Sequence, residues 1–182
     1  MPVDRRSVEA FFKRKLIGSE RCERAKHVSY RIVAPGGRII LGNLTFSRMA
    51  GGEDLTLRNL KGLAADVGLS VEGFIEAASC KIRPSIVVLC AAIRAVDHAY
   101  QMYALDPVAY DRNFVGDLRG AVGEWLRLTP EPSKSKLTKL ETKELQRSLG
   151  RTALMRGSGA FAGLVSDLEA FAQAQKLPIL TP

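Results

Sequence analysis

The chain has 182 residues, of which 46% are hydrophobic and 25% charged, and its formal net charge is +8. This is an ordinary globular composition, long enough to bury a core without metal or disulfide staples. It excludes a helical membrane span, because the best apolar run, Ile86 to Ile93, ends at Arg94, well short of the ~20 residues a bilayer needs.

The opening residues Pro2-Val3-Asp4-Arg5-Arg6 lack the apolar stretch of a signal peptide, so a cytoplasmic location is expected. The positive charge is uneven. Residues 1–48 carry +7, residues 49–133 carry −3, residues 134–156 carry +5 and residues 157–182 carry −1. Two basic blocks therefore flank an acidic one. Such blocks concentrate a polyanion near the surface and steer its approach, although the same pattern also serves solubility. Cys22, Cys80 and Cys90 form no Cys-x-x-Cys pair, so they are expected to be buried free thiols.

Asp4 can cap a first helix whose apolar face is Val8, Phe11, Phe12 and Leu16; Arg5, Arg6, Lys13, Arg14 and Lys15 lie opposite. The period then changes to two. The runs Arg24–Val33 and Arg38–Phe46 read as strands joined through Ala34-Pro35-Gly36-Gly37, with a bulge at Gly42-Asn43 and an extra strand within Glu20–Lys26. A helix follows from about Leu55. Gly68 interrupts it, and Ser70 caps the next helix. Pro84 opens a helix that is apolar on every side from Ile86 to Ile93, the pattern of a central bundle helix. Another helix begins at Asp106-Pro107 and runs to Leu128. Residues 129–136 read as a linker. A basic amphipathic helix follows through Leu137, Leu140, Leu145 and Leu149, and the last helix spans Ala160 to Lys176.

The order predicts an α+β fold: a small α-β-β-(β)-α domain over residues 1–80, then an all-helical region. That region divides into a helical core over 84–128, the linker 129–136 and a C-terminal segment over 137–182, basic at its start. No phosphate loop and no metal-ligand spacing is present, so neither a metal nor a cofactor is expected. His98, beside Asp97 on an apolar helix, reads as structural. His27 differs, because Arg24, Lys26 and Arg31 surround it in sequence. Neighbouring cations lower an imidazole's pKa and hold a phosphodiester, so His27 is suited to act as a general base.

Residues 5–80 resemble the HicA-type mRNA interferases, toxins with a double-stranded-RNA-binding-like fold. The matching stretches are Ala25-Lys26-His27-Val28-Ser29-Tyr30-Arg31, the turn Pro35-Gly36-Gly37-Arg38, Thr56-Leu57-Arg58, and Gly68-Leu69-Ser70 with Phe74. Ala25-Lys26 replaces the family's Gly-Ser, and residues 84–182 have no counterpart in it. The resemblance implies RNA binding and toxin-type endoribonuclease activity, with catalytic His27. It further implies RNA contacts at Arg31 and Arg38 and an antitoxin as protein partner. Arg24, Lys26, Arg5, Arg6, Lys13 and Arg14 complete the basic set around that site.

Two other functions use the same chain. Residues 60–78, with Leu63-Ala64 before Gly68-Leu69-Ser70 and Phe74, have the pattern of a helix-turn-helix, implying a DNA-binding regulator. Val71, Glu72, Gly73 and Glu76 are poor groups for reading bases, which favours RNA over DNA. The third is a catalytically inert interaction factor, with Trp125, Leu126 and Leu128 as a docking edge.

Overall fold

A computed structural model describes residues 3–15, 19–24, 27–33, 40–47, 55–129 and 136–174; before residue 55, side chains are described only for 3–11, 22 and 29–31. The elements are α1 (Arg5–Lys15), β1 (Ser19–Arg24), β2 (His27–Val33), β3 (Ile40–Ser47), α2 (Leu57–Asp66) and α3 (Val71–Ala78). They continue with α4 (Pro84–Leu105), α5 (Arg112–Arg127), α6 (Lys139–Arg156) and α7 (Ala162–Ala174). Residues 25–26, residues 34–39 with the expected Pro35-Gly36-Gly37 turn, the glycines at 51–52 and linker residues 130–135 lie outside the described residues.

The expected α+β class does not hold. Of the residues described with their side chains, 74% are helical, and these leave seven helices and a single strand stretch within β2. The physical reason is that nearly all of the buried apolar side chains described lie on helices. The large buried side chains of α4 to α7 and of α2 and α3 form one cluster that extends back to Val3, Val8 and Phe11. The backbone of the three short strands pairs antiparallel in the order β1-β2-β3. Tyr30 of β2, 1% exposed, belongs to the helical core. The register slips at Ile32/Val33, where Gly42 and Ile40 are the successive partners. Leu41 is thus the extra residue, one position before the expected Gly42-Asn43 bulge.

Helix ends follow local chemistry. Asp4 Oδ1 accepts from Ser7 N at 2.7 Å, and that backbone hydrogen bond holds the Asp4 carboxyl below its ordinary value. Thr56, Ser70, Asp111 and Thr138 cap α2, α3, α5 and α6. Thr138 and Glu141 form a reciprocal capping box. Helix α2 closes in a Schellman turn: Leu69 N donates to Ala64 O, Gly68 N donates to Ala65 O, and Gly68 has φ +70°. Helix α3 closes the same way through Cys80 and Lys81, yet the left-handed position is held by Cys80 with φ 63°. Cys80 is exposed and Cys22 half-buried, so of the three thiols only Cys90 has the expected burial, which pushes its pKa up to about 12.

Helix α4 is the axis of the helical body. Every residue from Ser85 to Ile93 is buried, as its all-round apolar sequence requires. Phe161 packs edge-on against Tyr100 and Tyr103 at centroid distances of 5.4 and 5.7 Å. Trp125 of α5 is 1% exposed, and Leu126 is also buried, so neither presents a docking edge; Leu128 alone is exposed.

Candidate nucleic-acid interface

The strand register fixes the relative positions of the basic residues near His27. Arg24 at the end of β1 is directly opposite His27, and Ser47 of β3 is opposite it on the other side. Ser29 lies between Cys22 and Thr45, and Arg31 between Glu20 and Asn43. Arg24 and His27 are therefore cross-strand neighbours. Arg31 is four residues along β2, roughly 13 Å away at strand spacing, and the residue opposite it on β1 is acidic. Ser29 is buried and Arg31 half-buried.

The remaining members of the expected set separate. Arg5 is buried, 7% exposed, and its Nε lies 2.7 Å from Glu9 Oε1 one turn along α1. It is a packed ion pair rather than a cation facing RNA, because the first turn of α1 is folded onto the core beside Val8. Arg6 is exposed. Lys13 and Arg14 lie on the last turn of α1, whose backbone alone is described there. Lys26 and Arg38 fall outside the described residues.

Segment 60–78 does form two helices around the Gly68 turn, with Ala64 and Phe74 buried as expected. The amino end of α3 is occupied from within the chain. Glu144 of α6, fully buried, accepts from Ser70 N at 2.8 Å and also from Ser70 Oγ. Helix N-termini attract anions through their unpaired N–H groups and dipole; here the anion is the protein's own carboxylate. Arg147 Nη2 binds Glu144 Oε2 at 2.9 Å and Gly68 O at 2.8 Å, and Ser148 Oγ donates to Gly68 O at 3.3 Å. Gly73 leaves the room that Glu144 fills, since a Cβ there would lie 2.6 Å from Glu144 Cδ.

One turn earlier, α6 does the same for α4. Glu141, 2% exposed, accepts from Arg83 N at 3.0 Å and Arg83 Nε at 2.9 Å; Arg83 is the N-cap of α4. Burial would raise the Glu141 carboxyl. The hydrogen bonds from Thr138 N, Arg83 N and the Arg83 guanidinium outweigh it, and the carboxyl is held below its ordinary value. One helix thus supplies carboxylates at i and i+3 to the amino ends of two others.

Sequence reading did not single out Glu141, Glu144, Arg83 or Arg147. The Thr138-x-x-Glu141 spacing was a readable capping signal. The partners on α3 and α4, more than fifty residues away in sequence, carried none. Among the described residues no group of three or more His, Cys, Asp or Glu could hold a metal, and no helix is long and apolar enough to cross a membrane. Compared with protein-family models, with curated protein sequences and with solved structures, the chain has no match.

Proposed function

We propose that the protein binds nucleic acid, RNA in preference to DNA, through the surface that carries Arg24, His27 and Arg31. The observation that supports this reading is the register that sets Arg24 directly opposite His27. An imidazole beside a guanidinium is a general base next to a phosphate clamp, the two groups that cleavage by a 2′-hydroxyl requires. HicA-like endoribonuclease activity at His27, a cytoplasmic setting and an antitoxin-type partner belong to the same proposal. The helix-turn-helix alternative loses support because the amino end of α3 is filled by Glu144 and its flank bears Glu72, 3.6 Å from Lys143.

A competition shift assay tests the reading. Single-stranded RNA should displace a labelled RNA better than duplex DNA does, and Arg31→Glu or Arg38→Glu should abolish the shift while Glu72→Ala leaves it. The reverse pattern would return the function to α3. His27→Ala should remove RNA cleavage, a loss of ~10²–10⁴ in rate, while RNA affinity persists. Cleavage unchanged in the His27→Ala protein would remove the catalytic role.

A further inference from the structure

Helices α5 and α7 are clipped together midway along their lengths. Gly163 of α7 leaves room for Arg119 of α5, since a Cβ there would lie 2.8 Å from Arg119 Nη1, and Arg119 Nε reaches Asp167 Oδ2 at 2.6 Å. Beyond this pair, toward the carboxyl ends of both helices, the seam opens into a groove of about 500 Å³. Leu126 and Phe171 line it together with Gly123, Ala170 and Ala174. Leu126 is buried and Phe171 half-buried, which gives the groove an apolar floor. Gly123, Ala170 and Ala174 are exposed and short, and a Cβ on Gly123 would meet nothing within 4 Å, so the rim is low.

The polar side chains around the groove are engaged with their own neighbours. Arg127 binds Glu124 through Nε at 2.7 Å and Nη2 at 2.5 Å, Asp167 accepts two bonds from Arg119, and Thr129 Oγ1 donates to Trp125 O at 3.0 Å. What the groove offers an occupant is therefore apolar contact. Two lengths of chain leave it, and both lie outside the described residues. Past Thr129 the sequence runs Pro130-Glu131-Pro132-Ser133-Lys134-Ser135, with no Leu, Ile, Val or aromatic residue. Past Ala174, itself part of the groove wall, it runs Gln175-Lys176 and then Leu177-Pro178-Ile179-Leu180, an unbroken apolar run.

We propose that Leu177, Ile179 and Leu180 fill the groove between α5 and α7, so that residues 175–182 strap the carboxyl ends of the two helices together. The lengths agree. The apolar run spans about 13 Å when extended, against a rise of about 10 Å from Asp167 to Ala174 along α7. Pro178 lacks the N–H that a further helical turn would use and disfavours helical backbone at Leu177, which leaves Gln175-Lys176 as the place to turn back. Burial of three aliphatic side chains drives the docking. An open groove without charged anchors would hold a separate apolar segment weakly, whereas a two-residue tether raises the effective concentration to about the mM range. The strap lies on other elements than the sheet residues of the function proposed above and does not depend on RNA binding.

The test uses the full chain and three proteins: wild type, Ile179→Asp, and Ala170→Glu, which puts a carboxylate into the groove. Nuclear Overhauser contacts are measured in methyl-labelled protein, and amide hydrogen exchange is followed in the last turn of α7. In wild type the methyl groups of Ile179 and Leu180 should contact the Phe171 ring and the Leu126 methyl groups. Ala170→Glu should remove those contacts, and in both variants the amides of residues 170–174 should exchange at least tenfold faster. Melting reports whether each variant is folded, and the wild-type contacts decide the matter where one is not. Absence of those contacts in wild type overturns the inference. Contacts that arise only between differently labelled molecules in a mixed sample seat the segment in a second copy and overturn the strap within one chain. Contacts present with exchange unchanged in both variants also overturn the strap, since the segment then secures nothing.

Discussion

The sheet around His27 and the junction of α2, α3, α4 and α6 both concentrate charged groups, but they use them differently. At the junction nearly every charge has a fixed partner: Glu144 takes Ser70 and Arg147, and Glu141 takes Arg83 and Thr138. At the sheet the register brings Arg24 against His27 with no acidic residue directly opposite either. A buried charge that loses its partner costs several kcal/mol, so removing one member of a pair at the junction is destabilising. Arg24 and His27 are the groups that the proposed function assigns to a ligand. Substitutions at the junction should therefore change folding, and substitutions at the sheet should change binding.

The largest expected effect is at the junction's turn. Gly68→Ala puts a Cβ 2.5 Å from Cys90 O in a left-handed backbone conformation. A left-handed alanine costs roughly 1–2 kcal/mol, and overpacking adds roughly 1–3, so urea unfolding should show a loss of about 3 kcal/mol. Next is Glu144→Gln, which weakens charge-assisted bonds to Ser70 and Arg147 and should cost about 1.5–3 kcal/mol. Unchanged urea midpoints in both variants would show that α6 does not secure the α3 end.

Acid sharpens the same contrast. The folded-state value of Glu141 is depressed below 4.5, so its contribution is fully present above that ordinary value. It is lost as pH falls through the lower folded value. Stability measured from pH 6 down to pH 3 should drop less steeply in Glu141→Gln than in wild type. Identical slopes would mean that Glu141 is protonated alike in both states. Smaller still, Cys80→Gly relieves a left-handed cysteine and should stabilise by about 1 kcal/mol. The exposed cation Arg6 of α1, changed to Ala, should move stability by less than about 0.5 kcal/mol.

The sequence made the elements legible where local chemistry decides them. The period-two runs coincide with the backbone of β2 and β3, the all-apolar stretch of α4 marks the central helix, and Ser70 and Gly68 mark a cap and a turn. It misled on fold class because strand-like runs in residues 24–46 outweighed, in the reading, a helical core assembled from every later element. It also misled at Arg5, which groups in sequence with the basic face of α1 although Glu9 stands at i+4, the spacing of a helical ion pair. Glu144 was invisible as a site residue, since its partner Ser70 lies 74 positions earlier and Gly73 matters only as the space Glu144 fills.

The central claim, that the sheet side of the molecule binds RNA through its cations, is tested most directly by salt. Each phosphate neutralised on a single strand contributes ~0.7 to the slope of log affinity against log salt. The account predicts a slope of several such steps for wild type, a slope lower by about one step for Arg24→Ala, and a slope for Glu72→Ala equal to that of wild type. RNA affinity that is independent of salt, or a slope that Arg24→Ala leaves unchanged, would contradict it.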